Sequence, residues 1–119
     1  MSNGWMKQNK YQNKKVIIDG IKFDSQLEAG RYCELKILER AGKIESLELQ
    51  KPFELIPSFK KNGKTYRSGS YIADFCYFDK EKGKVIVEDT KGFETDLYKW
   101  KRKQFEYQYP DLTITEIRR

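Results

Sequence analysis

Tyr71-Ile-Ala-Asp-Phe-Cys-Tyr-Phe78 is the stretch that decides the fold of this 119-residue chain. Because side chains alternate along a strand, the stretch predicts two faces, one made of Ile72, Asp74, Cys76 and Phe78 and the other of Tyr71, Ala73, Phe75 and Tyr77. Both faces are apolar apart from Asp74, which is typical of a central strand. A buried carboxylate without a partner is costly, so Asp74 needs a cation, a hydrogen-bond donor or a metal. A salt bridge to a nearby lysine or arginine is the alternative.

A second apolar stretch, Val85-Ile-Val-Glu-Asp-Thr-Lys91, carries the other half of the predicted site. Alternation places Asp89 and Lys91 on one face and Glu88 on the other, and the strand is expected to end at Gly92. At this spacing a carboxylate can hold a divalent cation while the lysine reaches the same phosphate or the attacking water. Glu88 competes for the acidic role, but only Asp89 shares a face with Lys91. A surface ion pair between Asp89 and Lys91 is the alternative.

The segments around these strands carry turn and capping signals. Asp19-Gly20 predicts a hairpin, and Ser25 predicts the start of a helix that Gly42 ends. Pro52 is expected to interrupt a strand. In chain order we expect a hairpin over residues 16–23, a helix to about 41, strands over 44–49, 53–59, 65–78 and 84–91, a helix from 95 or 96 to before 110, and a last strand over 112–117. This order predicts a single domain over residues 15–119 that follows a flexible basic arm, residues 1–14.

Two polar residues outside these strands are further candidates for the site. Glu28 follows Ser25 at the spacing of a capping box, so its carboxylate can cap the helix or act as another metal ligand. The two roles are compatible only in part, because one carboxylate would have to serve both. Gln50 ends the stretch Leu47-Glu-Leu-Gln50, and we expect it to approach the site.

Composition excludes several classes of chemistry. The chain has no histidine, which rules out Ser-His-Asp and Cys-His catalysis, His-x-Glu-x-x-His zinc sites and histidine-based nucleases. The two cysteines, Cys33 and Cys76, lack zinc spacing and are expected to be buried free thiols in a reducing compartment. The longest aliphatic runs have three residues and the N-terminus is polar, so we expect no membrane span, no signal peptide and a cytoplasmic protein.

Clustered positive charge predicts a polyanionic partner, of which nucleic acid is the commonest. The formal net charge is +6, from 24 basic and 18 acidic residues. One cluster, in a region without acids, comprises Lys60, Lys61, Lys64 and Arg67. On the second helix Lys99, Arg102 and Lys103 fall within about a third of the circumference, away from Leu97 and Lys101, and would flank the metal site. We expect both clusters to hold phosphates without reading sequence, the alternative being a solvated surface.

A helix glutamate, a strand aspartate, Asp-x-Lys on the next strand and a basic helix follow one another in the order of the PD-(D/E)XK nucleases. The matching stretches are Gly20-Ile-Lys-Phe-Asp-Ser25, Glu28-Ala-Gly-Arg-Tyr32, Tyr71-Ile-Ala-Asp-Phe75 and Val87-Glu-Asp-Thr-Lys-Gly92. On these residues the chain resembles that superfamily over residues 16–117, and it is most similar to a small phage-associated family near the Holliday-junction resolvases. Ala73 stands where the superfamily name has proline.

The resemblance implies a restriction-endonuclease-like α/β core, with a mixed central β-sheet flanked by two helices. It implies Mg²⁺ or Mn²⁺ held by Asp74 and Asp89, together with Glu28, and Lys91 beside them. The implied activity is that of a Mg²⁺-dependent endodeoxyribonuclease, a hydrolase acting in DNA recombination on branched DNA such as Holliday junctions. Paired cuts across a symmetric junction need two sites, so we expect a homodimer, in the host cytoplasm if the chain is phage-encoded. A non-catalytic DNA-binding module and a structural phage protein on the same fold are the alternatives, and RNA in place of DNA stays open.

Overall fold

The computed structural model describes residues 15–91 and 93–118. The arm predicted over residues 1–14 and the strand break predicted at Gly92 lie outside these residues. In chain order the elements are β1 (Val16–Ile18), β2 (Ile21–Phe23), α1 (Gln26–Arg40), β3 (Ile44–Ile56), β4 (Phe59–Lys61), β5 (Lys64–Tyr66), β6 (Gly69–Asp79), β7 (Lys84–Thr90), α2 (Asp96–Gln108) and β8 (Ile114–Ile117).

Four strands form a mixed central sheet in the order β3-β6-β7-β8. β3 is antiparallel to β6 and β6 to β7, whereas β8 runs parallel to β7. α1 and the β1–β2 hairpin pack on one face of the sheet, and α2 packs on the other. The predicted α/β class, with a mixed sheet and two helices, is therefore confirmed.

The predicted turn and capping residues form the hairpin turn and the helix ends at the expected positions. Asp19 and Gly20 both have positive φ, which a two-residue hairpin turn needs. The Ser25 hydroxyl accepts a hydrogen bond from the backbone N–H of Glu28, 3.1 Å away, and so caps α1. Gly42, with φ of 75°, follows the end of α1, and Thr95 caps α2.

Two predicted strand boundaries are wrong. Pro52 does not interrupt a strand but lies inside β3, paired with Ile72. β3 is at an edge of the central sheet and has a neighbouring strand on one side only. An edge strand tolerates proline, because the missing N–H can face the side without a strand. The strand predicted over residues 65–78 is two strands, because β5 pairs with β4 in a separate exposed hairpin that turns at Asn62-Gly63.

Two hydrophobic cores lie on opposite faces of the central sheet. The core beneath α1 contains Phe23, Ala29, Tyr32, Leu35, Ile44, Phe75, Tyr77 and Ile86. The core beneath α2 contains Phe53, Leu55, Tyr71, Ala73, Cys76, Val87, Tyr98, Phe105 and Ile114. The uninterrupted alternation predicted along β6 is therefore wrong, because Ala73 and Phe75 face different cores.

The change of face in β6 is matched in β3. Leu49 packs against the core beneath α1, whereas Phe53 belongs to the core beneath α2. Gln50 lies between them with φ of 52°, in the left-handed region. The pairings Leu49 with Phe75 and Lys51 with Ala73 put Gln50 opposite Asp74, so both strands change face at the same level of the sheet.

The thiols differ in environment. Cys76 is buried, and its burial raises the pKa of its thiol, but Cys33 is exposed, so the prediction of two buried thiols is wrong for Cys33. Cys33 is on the solvent side of α1, beside the buried Tyr32. Among the described residues, no helix combines the length and the apolar character that a membrane span requires.

Candidate active site

Asp74 lies where β6 and β7 separate. At this end of the two strands the last residue pair is Phe75 with Glu88, and Asp74 is the residue of β6 next to Phe75. Oδ2 of Asp74 accepts hydrogen bonds from the backbone N–H and the hydroxyl of Thr90, at 2.8 and 2.7 Å. None of the ion pairs formed by residues 15–91 and 93–118 includes Asp74, so a salt bridge does not account for this half-buried carboxylate.

Asp89 lies beside Asp74 on the face of the sheet that α2 covers. It is 4 % exposed, and its Oδ2 accepts a hydrogen bond of 2.8 Å from the hydroxyl of Tyr71. Its Oδ1 is 3.3 Å from Nζ of Lys91, which also lies 3.9 Å from the ring centre of Tyr98. Burial, followed by the charge of Asp74, raises the pKa of Asp89 to about 7. Asp89 is thus a carboxylate whose negative charge is only partly compensated.

Glu28 reaches the same region from the first turn of α1. Its backbone N–H serves the Ser25 cap, while its carboxylate Oε2 accepts a hydrogen bond of 3.1 Å from Nε2 of Gln50. The cap observed at Ser25 thus involves the backbone of Glu28, and the hydrogen bond from Gln50 is made to the carboxylate that was predicted to cap the helix or to bind a metal. Burial, followed by the charge of Asp74, raises the pKa of Glu28 to about 7.

Gln50 connects two of these carboxylates. Its amide nitrogen lies 3.1 Å from Oε2 of Glu28 and 3.4 Å from Oδ1 of Asp74. The left-handed backbone at Gln50 turns its side chain toward this cluster. The structure therefore brings together the predicted residues Glu28, Gln50, Asp74, Asp89 and Lys91.

Glu88, the competing acid, lies apart from this cluster on the opposite face of β7. Its carboxylate accepts hydrogen bonds from Nε and Nη2 of Arg31, at 2.8 and 2.7 Å, and a short one from the hydroxyl of Tyr77. The side chain is 1 % exposed. Glu88 therefore connects β7 to α1 as a buried ion pair.

A pocket of about 270 Å³ opens beside the two aspartates. It is lined by Tyr71, Ile72, Asp74, Asp89, Lys91, Thr95, Leu97, Tyr98 and Lys101. The residues of this site that were not among the sequence-based candidates include Tyr71, Thr90, Tyr98 and Lys101. Tyr71 and Tyr98 have the pattern of ordinary core aromatics, and the pairing of Leu97 with Lys101 on one side of α2 is the one sequence signal for Lys101.

The four predicted phosphate-binding residues Lys60, Lys61, Lys64 and Arg67 are exposed on and beside the β4–β5 hairpin. Phe59 and Tyr66 stack across this hairpin with ring centres 4.8 Å apart. The hairpin residues do not line the pocket, which is formed by β6, β7 and α2. They form a separate basic surface.

The predicted basic face of α2 is divided by the structure. Lys99 and Lys103 are exposed, with Nζ of Lys103 5.6 Å from the ring centre of Trp100. Arg102, in contrast, lies 2.5 Å from a carboxylate oxygen of Glu116 and 3.7 Å from one of Glu94. Arg102 is therefore paired with two carboxylates of its own chain, although its side chain is 35 % exposed.

The site has the donors that a hard divalent cation prefers. Mg²⁺ and Mn²⁺ favour carboxylate oxygens. Oδ1 of Asp74 has a long contact of 3.4 Å with Gln50, and Oδ1 of Asp89 has one of 3.3 Å with Lys91, so each aspartate has one weakly bonded oxygen. Burial, followed by the charge of Asp74, raises the pKa values of Glu28 and Asp89, and a cation would relieve the repulsion between these carboxylates. Within the part of the chain that the structure describes, no three His, Cys, Asp or Glu side chains have the spacing of a formed metal centre. The side chains of this site are nevertheless of the chemical type that a divalent cation prefers.

Comparison with known proteins places the chain in a family. Residues 8–119 match the family described as "Protein of unknown function (DUF1064)", and the chain belongs to this family. Neither the curated proteins nor the solved structures include a match to it.

Proposed function

We propose that this protein is a metal-dependent endodeoxyribonuclease with a PD-(D/E)XK site on a restriction-endonuclease-like fold. The observation that carries the proposal is the convergence of Asp74, Asp89 and Lys91 on one pocket, at the point where β6 and β7 separate. Glu28 joins them through Gln50. These side chains come from separate elements, and within residues 15–91 and 93–118 Asp74 has hydrogen bonds from Thr90 and Gln50 but no cationic partner.

Asp74 and Asp89 would hold the cation, with Glu28 as a further ligand. When bound, a divalent cation supplies positive charge that stabilises the transition state of phosphodiester hydrolysis and lowers the pKa of water. Thr90 orients Asp74 through two hydrogen bonds to Oδ2, which leaves Oδ1 available. Tyr71 orients Asp89 in the same way, and burial beside Asp89 raises the pKa of the Tyr71 hydroxyl, so that it stays a donor.

Lys91 would act on the substrate. Its ammonium is held between Asp89 and the ring of Tyr98, at the wall of the pocket. A fixed cation at this position stabilises the negative charge that develops on the phosphate, or orients the attacking water. Lys91 therefore complements the carboxylates without the need for a histidine.

The DNA would be held by basic residues outside the pocket. The hairpin lysines Lys60, Lys61 and Lys64, with Arg67, form one surface, and Lys99 and Lys103 of α2 form another. Contacts of this kind position the backbone of DNA without reading its bases. We propose branched DNA as the substrate and a homodimer as the active form on the strength of the family resemblance and of the two cuts that a symmetric junction needs.

The proposal is tested by incubating the protein with labelled four-way junction, duplex and single-stranded DNA and with RNA. Each substrate is used with Mg²⁺, with Mn²⁺ and with a chelator. We expect metal-dependent cleavage of DNA, greatest on the junction, and none with Asp74→Asn. Salt-sensitive DNA binding without cleavage under any metal would instead favour a non-catalytic DNA-binding module.

A further inference from the structure

Lys101 lies at the wall of the same pocket as Asp74, Asp89 and Lys91. It follows Leu97 by one helical turn and Tyr98 by three residues, so these three residues share one side of α2, and all three line the pocket. The Lys101 side chain is half-buried. α2 therefore places a second lysine at the wall of the pocket that Asp74 and Asp89 also line.

Lys101 differs from the other cations near the site in its partners. Lys91 is paired with Asp89, and Arg102 with Glu116. Among residues 15–91 and 93–118, by contrast, Lys101 takes part in none of the ion pairs. Its charge is thus available to a group that enters the pocket.

Charge balance indicates what that group is. With one divalent cation bound, the carboxylates of Glu28, Asp74 and Asp89 are neutralised by the cation and by Lys91. Lys101 then adds one positive charge to a neutral site. A phosphodiester carries one negative charge, so Lys101 is the group that matches it.

We propose that Lys101 binds a non-bridging oxygen of a phosphate in the strand that is cut, inside the pocket. The inference rests on the proposed nuclease function and assigns a substrate contact to a residue for which neither the sequence motif nor the family resemblance gave a role. Lys99 and Lys103 do not line the pocket, so their contacts would lie along the duplex outside it. Lys101 would consequently affect the reacting part of the strand, whereas they would affect overall affinity.

The first test compares Lys101→Met with Lys101→Arg and with Lys82→Met. Lys82 is exposed in the β6–β7 turn, away from the pocket, and serves as the matched control. We expect Lys101→Met to lower kcat/KM by about 10- to 100-fold, as the loss of one charge-assisted hydrogen bond does. Lys101→Arg should recover most of the activity, and Lys82→Met should retain all of it. Mn²⁺ affinity should not fall in any of these variants, because Lys101 is not a metal ligand.

The second test replaces single phosphates near the cleavage position with uncharged methylphosphonates. In the wild type, one such replacement removes the charge that Lys101 binds, and cleavage falls about as far as in Lys101→Met. In Lys101→Met the same replacement should have no further effect, since the ammonium that binds this phosphate is already absent. A merely structural role for Lys101 would make the two losses independent at every position.

A third measurement keeps failure of this inference separate from failure of the nuclease proposal. DNA affinity is measured in the Asp89→Asn background, with and without Lys101→Met, so that no cleavage is needed. Weaker binding with Lys101→Met supports the assignment even if the wild type cleaves nothing, an outcome that would overturn the nuclease proposal alone. Unchanged affinity, or cleavage by Lys101→Met equal to that of Lys82→Met, or a loss of Mn²⁺ affinity in Lys101→Met, would overturn the assignment of Lys101.

Discussion

Glu88 and Asp89 are neighbours on β7, but they lie on opposite faces of the sheet and have different hydrogen-bond partners. Both are almost fully buried, at 1 % and 4 % exposed. Glu88 faces α1 and accepts two hydrogen bonds from Arg31 and one from Tyr77. Asp89 faces α2 and the pocket, where it has one hydrogen bond from Tyr71 and a longer contact of 3.3 Å with Lys91.

The difference between these two acids separates a structural carboxylate from a candidate functional one. A buried carboxylate with a bidentate arginine is neutralised and cannot readily accept a metal. Asp89 is close to another carboxylate, has a raised pKa and borders a pocket, which is the combination expected at functional sites. Asp89 lines a pocket on the face beneath α2, whereas the carboxylate of Glu88 is occupied by Arg31 and Tyr77.

The largest expected effect is on cleavage. Asp89→Asn should reduce the cleavage rate by more than about a hundredfold, because the loss of an outer-shell partner of a metal ligand alone costs up to that much. Glu88→Gln should cleave at close to the wild-type rate per folded molecule. Single-turnover cleavage of labelled DNA measures both variants. An inactive Glu88→Gln together with an active Asp89→Asn would reverse the roles assigned to the two acids.

The order of the two variants should be reversed for stability, with the larger loss of unfolding free energy in Glu88→Gln. Glu88→Gln weakens the two hydrogen bonds from Arg31, which keeps Glu34 as a carboxylate partner, and a loss of this kind typically costs about 1.5–3 kcal/mol of the free energy of unfolding. Asp89→Asn should not destabilise the protein at pH 8, since it removes a carboxylate that the folded state holds at an unfavourable charge. Urea denaturation of both variants at pH 8 gives the two free energies. Equal stability losses would show that the two carboxylates have the same structural role.

Metal binding by Glu28, Asp74 and Asp89 should depend on pH. The pKa values of Asp89 and Glu28 are raised from 3.8 and 4.5 to about 7 in the folded state, so these groups cost stability increasingly as pH rises from about 4 to about 7. A divalent cation binds the ionised forms, and its affinity should therefore increase between pH 5.5 and pH 8. At a fixed concentration of one hundred times the Kd at pH 8, the cation should stabilise the fold by about 2.7 kcal/mol at pH 8 and by less at pH 5.5. Thermal melts with and without Mn²⁺ at the two pH values measure this effect, with Asp89→Asn as the variant that should lose it. A shift of equal size at both pH values would contradict the linkage.

Local sequence patterns are sufficient to predict part of the fold and part of the site. Alternation along β7 is enough to separate Asp89 and Lys91 from Glu88, because this strand is regular and its two faces meet different helices. Turn and capping residues are likewise sufficient for the β1–β2 hairpin and both helix starts, since these elements depend on contacts within a few residues.

Alternation fails where two strands depart from regularity together. The change of face at Asp74 and the left-handed backbone at Gln50 lie opposite each other, and each depends on a partner more than twenty residues away. The pairing of Arg102 with Glu116 likewise joins α2 to β8. No pattern within a single segment carries such information, so neither the place of Tyr71 and Lys101 at the site nor the ion pairs of Arg102 could be predicted.

The smallest expected effect concerns the basic surfaces outside the pocket. Replacement of Lys60, Lys61 and Lys64 by alanine should lower the slope of log affinity against log salt by up to about 0.9 for each phosphate that the variant no longer binds. Replacement of Lys99 and Lys103 should act in the same way through two phosphates, with Arg102 left in place to preserve its ion pair. Binding to duplex DNA at several salt concentrations, in the Asp89→Asn background, gives the slopes. An unchanged slope in either variant would identify that surface as a solvated one that DNA does not touch.

The most direct test of the central claim is a crystal structure of the wild-type protein with Mn²⁺, whose anomalous scattering locates the ion. We expect the ion between Asp74 and Asp89, with carboxylate oxygens from both at about 2.0–2.6 Å and Glu88 still bound to Arg31. An ion bound by Glu88, or one found elsewhere while Gln50 still bridges Glu28 and Asp74, would contradict the account.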